Sequence, residues 1–193
     1  SLNRERISYH GHSQGGTTGP LFAPFEEDLS GVVFSGTAGG LMFSLMDKKE
    51  PYDATLGLQL ALQEFEIQED HPALHIFQEY FDDVDPLNYA DRLFKQPAER
   101  PLHLLHVYGR HDTFTPDRGQ RSFAAASGAT LAIPNDTPED FDLMSDLRVL
   151  TEGYPLRANQ TVGSVGSVTA TVVQFAPETD EGRDLYNGHF VIY

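Results

Sequence analysis

Gly11-His12-Ser13-Gln14-Gly15 sets one serine between two glycines, with Gly16 directly behind. That spacing suits a sharp strand-to-helix turn that lifts a serine hydroxyl clear of a sheet in strained backbone geometry. The positions two before and two after such a serine must be small, and Gly11 and Gly15 meet that demand as the elbow-forming residues. The helix that follows turns its amino end toward the serine. Backbone N–H groups there face negative charge developing on an attacked carbonyl. The N–H of Gln14 is the expected oxyanion donor. The chemistry implied is nucleophilic attack by Ser13 on an acyl carbon.

A serine needs a base, and the base needs an acid to orient it. Gly109-Arg110-His111-Asp112-Thr113-Phe114-Thr115-Pro116 follows an apolar run and holds Asp112 on a loop just past a strand end. Ligand sites of open α/β sheets form at that edge. Asp112 is preferred as the acid, because Asp117 fits better as the cap of the helix beginning near Pro116. Asn187-Gly188-His189-Phe190 comes after the last strand, where glycine lets His189 reach back to the serine. His12 and His111 neighbour these residues in sequence, so their side chains point elsewhere. His10, His103 and His106 alternate with apolar residues on strands and read as structural.

The elements that position these groups can be traced along the chain. Ile7 to Tyr9 is a short strand, followed after the elbow by a helix through Phe25. Leu29 to Phe34 and Leu102 to Tyr108 are strands bounded by Gly or Pro. Ser122 to Ser127 lies in a helix closed by Gly128, and Val165 to Phe175 is a strand stopped by Pro177. Strands separated by helices predict a parallel sheet with helices on both faces. Between the second and third strands, residues 41–97 form an expected helical cap over the carboxyl edge of the sheet. Most of its apolar residues should pack it onto the core, and Leu41, Met42 and Phe43 are candidates for substrate contact. Residues 134–162 read as a surface excursion, and residues 1–193 as one domain.

The 193 residues carry 13 basic and 29 acidic side chains, a net charge of −16. Such a surface repels phosphate backbones and excludes nucleic acid as a partner. No apolar run approaches the roughly 20 residues of a membrane span. Cysteine is absent, which removes disulfides, thiolate metal sites and cysteine catalysis. Asp82, Asp83, Asp85 and Asn88 lie close together but lack the glycine and final glutamate of a calcium loop, so no metal is expected.

With Ser13, Asp112 and His189 in that order, the chain resembles the C-terminal half of an α/β-hydrolase, close to bacterial serine lipases and esterases with a Gly-His-Ser-Gln-Gly elbow. The resemblance covers 11–16, 102–116 and 188–190. It implies a partial α/β-hydrolase fold: a mostly parallel sheet of the last four strands, flanking helices and a helical cap insertion. It also implies a carboxylic ester hydrolase acting through an acyl-enzyme, without cofactor, on an apolar acyl ester. A thioesterase, an acyltransferase or a non-catalytic binding module would keep the same residues. Only 12 residues precede Ser13, and a single parallel crossover takes about a dozen. The chain is therefore expected to be a fragment, weakly active alone and without the second oxyanion donor of the family. Its first strand would have an open edge able to pair with a missing N-terminal half or another chain.

Overall fold

Gly31-Val32-Val33-Phe34 is apolar on both sides, as a central strand of a parallel sheet requires. In the computed structural model, which describes residues 6–133, 137, 143–145, 147–150, 155–177 and 187–191, these residues lie in β2 (Leu29–Ser35), between β1 (Ile7–His12) and β3 (His103–Gly109). Registers pair Gly11 with Phe34, and Ser35 with Val107. The remaining strands are β4 (Thr130–Ala132), β5 (Val149–Leu150), β6 (Gln160–Val162), β7 (Gly166–Val168) and β8 (Ala170–Phe175). The main sheet runs β1-β2-β3-β8-β4-β5, parallel at every step, while β6 and β7 form a separate antiparallel hairpin. The fold is α/β. The four expected strands are consecutive neighbours, and among the described residues β1 is an edge.

Three expectations about the strands need correction. The strand expected over 165–175 is two strands, with Thr169 as the break between β7 and β8. The short β4 and β5 extend the sheet beyond β8, and neither is long enough to show an alternating pattern. The excursion at 134–162 is not wholly superficial, because Met144 and Leu147 are buried in the main core. Its acidic part, including Asp136 and Asp146, lies mostly outside the described residues, as does the acidic loop before Asn187.

Helix α1 (Gln14–Phe22) continues as a 3-10 turn to Phe25, and α5 (Asp117–Ser127) ends at Gly128 in the left-handed conformation. Ring contacts fasten both to one face of the sheet. Tyr9 meets Phe22 with ring centroids 5.0 Å apart, and Phe34 meets Phe123 at 6.1 Å. On the opposite face, Val33, Leu105 and Val173 are only half-buried. Val107 and Thr171 on that same face are buried.

Residues 41–97 hold α2 (Leu41–Asp47), α3 (Ala54–Leu62), α4 (Pro72–Phe81) and 3-10 turns between 82 and 93, joined by non-helical stretches. Asp53 caps α3 by accepting the Leu56 N–H at 3.0 Å, and the His71 ring caps α4, where Pro72 suits the first turn. Met42, Ile67 and Leu74 form a small core of their own. Several apolar residues expected to pack inward do not. Leu56, Leu60 and Phe65 are exposed.

Candidate active site

Ser13 sits between the last residue of β1 and the first of α1, with φ 56° and ψ −119°. Few non-glycine residues adopt such a conformation, which costs about 1–3 kcal/mol and persists only where the surroundings enforce it. Here they do. The Ser13 N–H donates to Ser35 O at 2.9 Å, its carbonyl accepts from Thr17 N at 2.9 Å, and Tyr9 Oη donates to Gly15 O at 2.9 Å. A Cβ on Gly11 would overlap the Gly15 carbonyl, and one on Gly16 would overlap Thr37 Oγ1. Gly15 is less constrained, its nearest atom being Tyr9 Oη at 3.3 Å. The turn therefore forbids side chains at 11 and 16 more strictly than at 15.

Asp112 and His189 meet. His189 Nδ1 donates to Asp112 Oδ2 at 2.8 Å, and each residue is only 4% exposed. The second carboxylate oxygen accepts from the N–H groups of Phe114 (2.8 Å) and Thr115 (2.6 Å). Gln120 Nε2 adds a bond to Oδ2 at 3.2 Å. Bonds of this kind hold a buried carboxylate in one orientation. Asp117 does not cap α5 as the sequence suggested. It accepts from the backbone of His111 (3.3 Å) and Asp112 (3.4 Å), so it shapes the turn that carries the acid.

The histidine arrives by close backbone packing. A Cβ on Gly188 would overlap Arg110 O, and one on Gly109 would overlap Gly188 O. The glycine before His189 thus serves contact rather than reach. Asn187 secures the loop: its Oδ1 accepts from His189 N (3.0 Å) and Thr113 N (3.2 Å), and its Nδ2 donates to Thr113 Oγ1 and to Glu50. Behind the pair lies Gly36, at φ +56°, where a Cβ would stand 3.4 Å from His189 Nδ1 and 3.5 Å from Asp112 Oδ2.

His12 lies nearer this site than its place in the sequence suggested, with its ring centroid 4.7 Å from that of His189 and its Nδ1 3.2 Å from Ser35 Oγ. Burial lowers its pKa, and the neighbouring His189 lowers it further. The Ser35 bond that fixes Ser13 and the Gly36 wall against His189 belong to consecutive residues, which sets the elbow beside the His189–Asp112 pair. Among the described residues no hydrogen bond joins the Ser13 hydroxyl to His189. Such bonds are often loose without substrate.

A cleft of about 510 Å³ opens over the serine, bordered by Ser13, Gln14, Leu41, Lys48, Phe114 and Thr115. Of the three candidate substrate contacts, only Leu41 faces it. Met42 is turned into the helical layer, and Phe43 packs under the Arg118 guanidinium, 4.5 Å from its ring centroid. Sequence reasoning missed Lys48, whose Nζ donates to Phe114 O at 2.6 Å and whose pKa is lowered by burial. It also missed Asp85. That buried carboxylate accepts from Gly40 N (2.9 Å), Leu41 N (2.8 Å) and Leu87 N (3.0 Å), anchoring the start of α2 at the cleft. Gln120, Asn187 and Gly36 left no local signal, since each acts on a partner distant in sequence.

No helix of the described residues is long and apolar enough to cross a membrane. Among solved structures, the crystal structure of acetyl xylan esterase 1 from Thermoanaerobacterium sp. is similar to this chain at 15% identity and a TM-score of 0.48, over 94% of this chain. The match spans 43% of the esterase's own length. No family model matches the sequence, and no curated protein matches it.

Proposed function

We propose that the chain carries the nucleophile, base and acid of a serine carboxylic ester hydrolase. One arrangement supports the reading: His189 is bonded to buried Asp112 at 2.8 Å, its ring lies 4.7 Å from that of His12, and the next residue, Ser13, is held at φ 56° in a strand-to-helix turn. The Nδ1–H bond to Asp112 leaves the Nε2 lone pair as the basic site. His189 then takes the Ser13 proton as Oγ attacks the ester carbonyl carbon. The negative charge moves to the carbonyl oxygen, which the Gln14 N–H receives. Collapse breaks the ester bond, and His189 returns the proton to the departing alcohol. Water, deprotonated by His189, attacks the acyl-Ser13 carbon, and the proton passes back to Ser13 Oγ as the acid leaves. Ester and water are consumed, alcohol and acid are released, and Ser13 and His189 end as they began.

A fluorophosphonate probe, which phosphonylates an activated serine, tests the reading. Labelling should map to Ser13, vanish in Ser13→Ala and fall steeply in His189→Ala. A properly folded chain that stays unlabelled would point to a non-catalytic binding module instead.

A further inference from the structure

Lys48 and Lys49 are neighbours in the chain and are used in opposite ways. Lys49 is exposed and pairs with Asp53 at 2.9 Å. Lys48 turns to the cleft over Ser13, and among the described residues it is the one charged side chain bordering that cleft. Its Nζ donates to Phe114 O at 2.6 Å and stands 5.8 Å from the centre of the Phe114 ring. That ring in turn lies 4.7 Å from the His189 imidazole, so the cation is held one aromatic ring away from the base. Phe114 O takes only one of the three N–H groups of an ammonium. No carboxylate pairs with Nζ among the described residues. The acids around it are committed elsewhere: Asp47 to Arg118, Glu50 to Thr113 and Asn187, and Asp112 to His189. We propose that Lys48 is a substrate-binding residue that takes a carboxylate carried by the ester a few atoms from its reacting carbonyl. The proposal rests on the hydrolase reading and narrows its substrate class to anionic esters.

A lysine ordinarily carries its ammonium out to water and keeps only its stem against apolar surface. Here the ammonium is drawn back to a half-buried position, which costs solvation that one neutral carbonyl does not return. Burial lowers its pKa, and the attraction of Asp112 only partly offsets this. A bound carboxylate would offset both losses. The rest of the border, Leu41, Leu45 and Pro51 among it, offers an anion no other charged partner. The chain as a whole carries −16 and repels an anion at long range. Any preference for one therefore comes from this single ammonium. A lysine that merely tied down the Phe114 loop would serve charged and neutral esters alike.

The test measures kcat/KM of the full chain on two matched pairs of esters. Monomethyl adipate against methyl hexanoate sets a carboxylate against a methyl at the end of the acyl group. The second pair, γ-acetoxybutanoate against butyl acetate, does the same on the alcohol. In one pair the charged-to-neutral ratio should fall about tenfold in Lys48→Met, the scale of a partly exposed charge-assisted bond. It should fall further in Lys48→Glu, while Lys48→Arg keeps most of it. The pair that responds tells which side of the ester bears the carboxylate. The ratio is read because loss of the Phe114 bond lowers both members of a pair alike. Binding of both charged esters to Ser13→Ala, with and without Lys48→Met, is measured by calorimetry alongside. Ratios that every substitution leaves unchanged in both pairs overturn the anion site and leave the hydrolase reading standing. Binding that Lys48→Met abolishes, in a chain that hydrolyses no ester, supports the anion site and overturns the hydrolase. Absence of both binding and a Lys48-dependent ratio overturns the proposal.

Discussion

The imidazole of His189 lies nearly parallel to the ring of Phe114, with centroids 4.7 Å apart and planes 21° from parallel, while its Nδ1 edge is bonded to Asp112. Phe190 closes on both rings edge-on. The ring is thus fixed in plane by packing and in tautomer by one hydrogen bond. Asp112→Asn separates these two contributions. The amide keeps the shape, and the Phe114 stack keeps the ring, but the amide nitrogen turned toward Nδ1 favours the wrong tautomer. Ester hydrolysis and probe labelling at neutral pH should fall by about 10⁴-fold, with the melting temperature nearly unchanged. A loss under tenfold would show that His189 does not act through Asp112.

Two glycines near the pair should fail in different ways. Gly36 holds φ +56° with open space for a Cβ, at ordinary contact distance from His189 and Asp112. Gly36→Ala should therefore cost about 1–2 kcal/mol of stability as left-handed strain, with a smaller effect on rate. Gly188 has no such room, because its Cβ would overlap Arg110 O. Gly188→Ala should push the His189 loop away from Asp112 and cost about 10²-fold or more in kcat/KM, the scale of a 1 Å misplacement. Urea titration and ester kinetics on both variants make the comparison. Equal losses in both assays for both variants would count against this division.

The parts of the site that could be read from sequence are those where residue type and local turn geometry decide the outcome. Gly11 and Ser13 are such residues, since a side chain at 11 would overlap the Gly15 carbonyl of the turn itself, whereas Gly16 is kept bare by Thr37 and Ser35 of the next strand and its loop. Asp112 and His189 were legible because each follows a strand end. The supporting groups were not. Gln120, Asn187 and Asp85 bond Asp112, Thr113 and Gly40, which lie 8, 74 and 45 residues away, and Asn or Gln in a polar stretch carries no mark of a buried partner. The strand break at Thr169 was hidden by unbroken β-branched composition on either side. The exposure of Leu56, Leu60 and Phe65 could not be foreseen, because an apolar residue reads the same whether or not a neighbour covers it.

Asn187 bridges the loops that carry Asp112 and His189 by accepting from Thr113 and His189 and donating to Thr113 and Glu50. Removing its amide in Asn187→Ala leaves two backbone N–H groups without their acceptor, at a site only partly buried. The expected result is a drop in kcat of up to about 10²-fold with KM little changed, because the cleft residues stay in place. A rise in KM with kcat preserved would mean that Asn187 serves the cleft rather than the base.

His106 is fully buried in β3 against Phe123, and among the described residues neither ring nitrogen has a hydrogen-bond partner. Burial alone holds its pKa down to about 3, against an ordinary value of 6.5. The unfolded chain therefore binds this proton between pH 6.5 and 3 while the folded chain does not. Stability from the neutral ring is complete above pH 6.5 and falls as the pH drops through that window. At pH 4.5, two pH units below 6.5, the loss is about 3 kcal/mol. His106→Leu replaces the ring with an apolar side chain that carries no proton and leaves no polar atom unsatisfied. Its urea midpoint should match or exceed that of the parent at pH 7.5, and the advantage should widen as the pH is lowered to 4.5. Carboxylates elsewhere titrate in both proteins, so the difference between the two curves isolates the histidine. Parallel curves across that range would show that the ring is protonated, or hydrated, inside the folded chain.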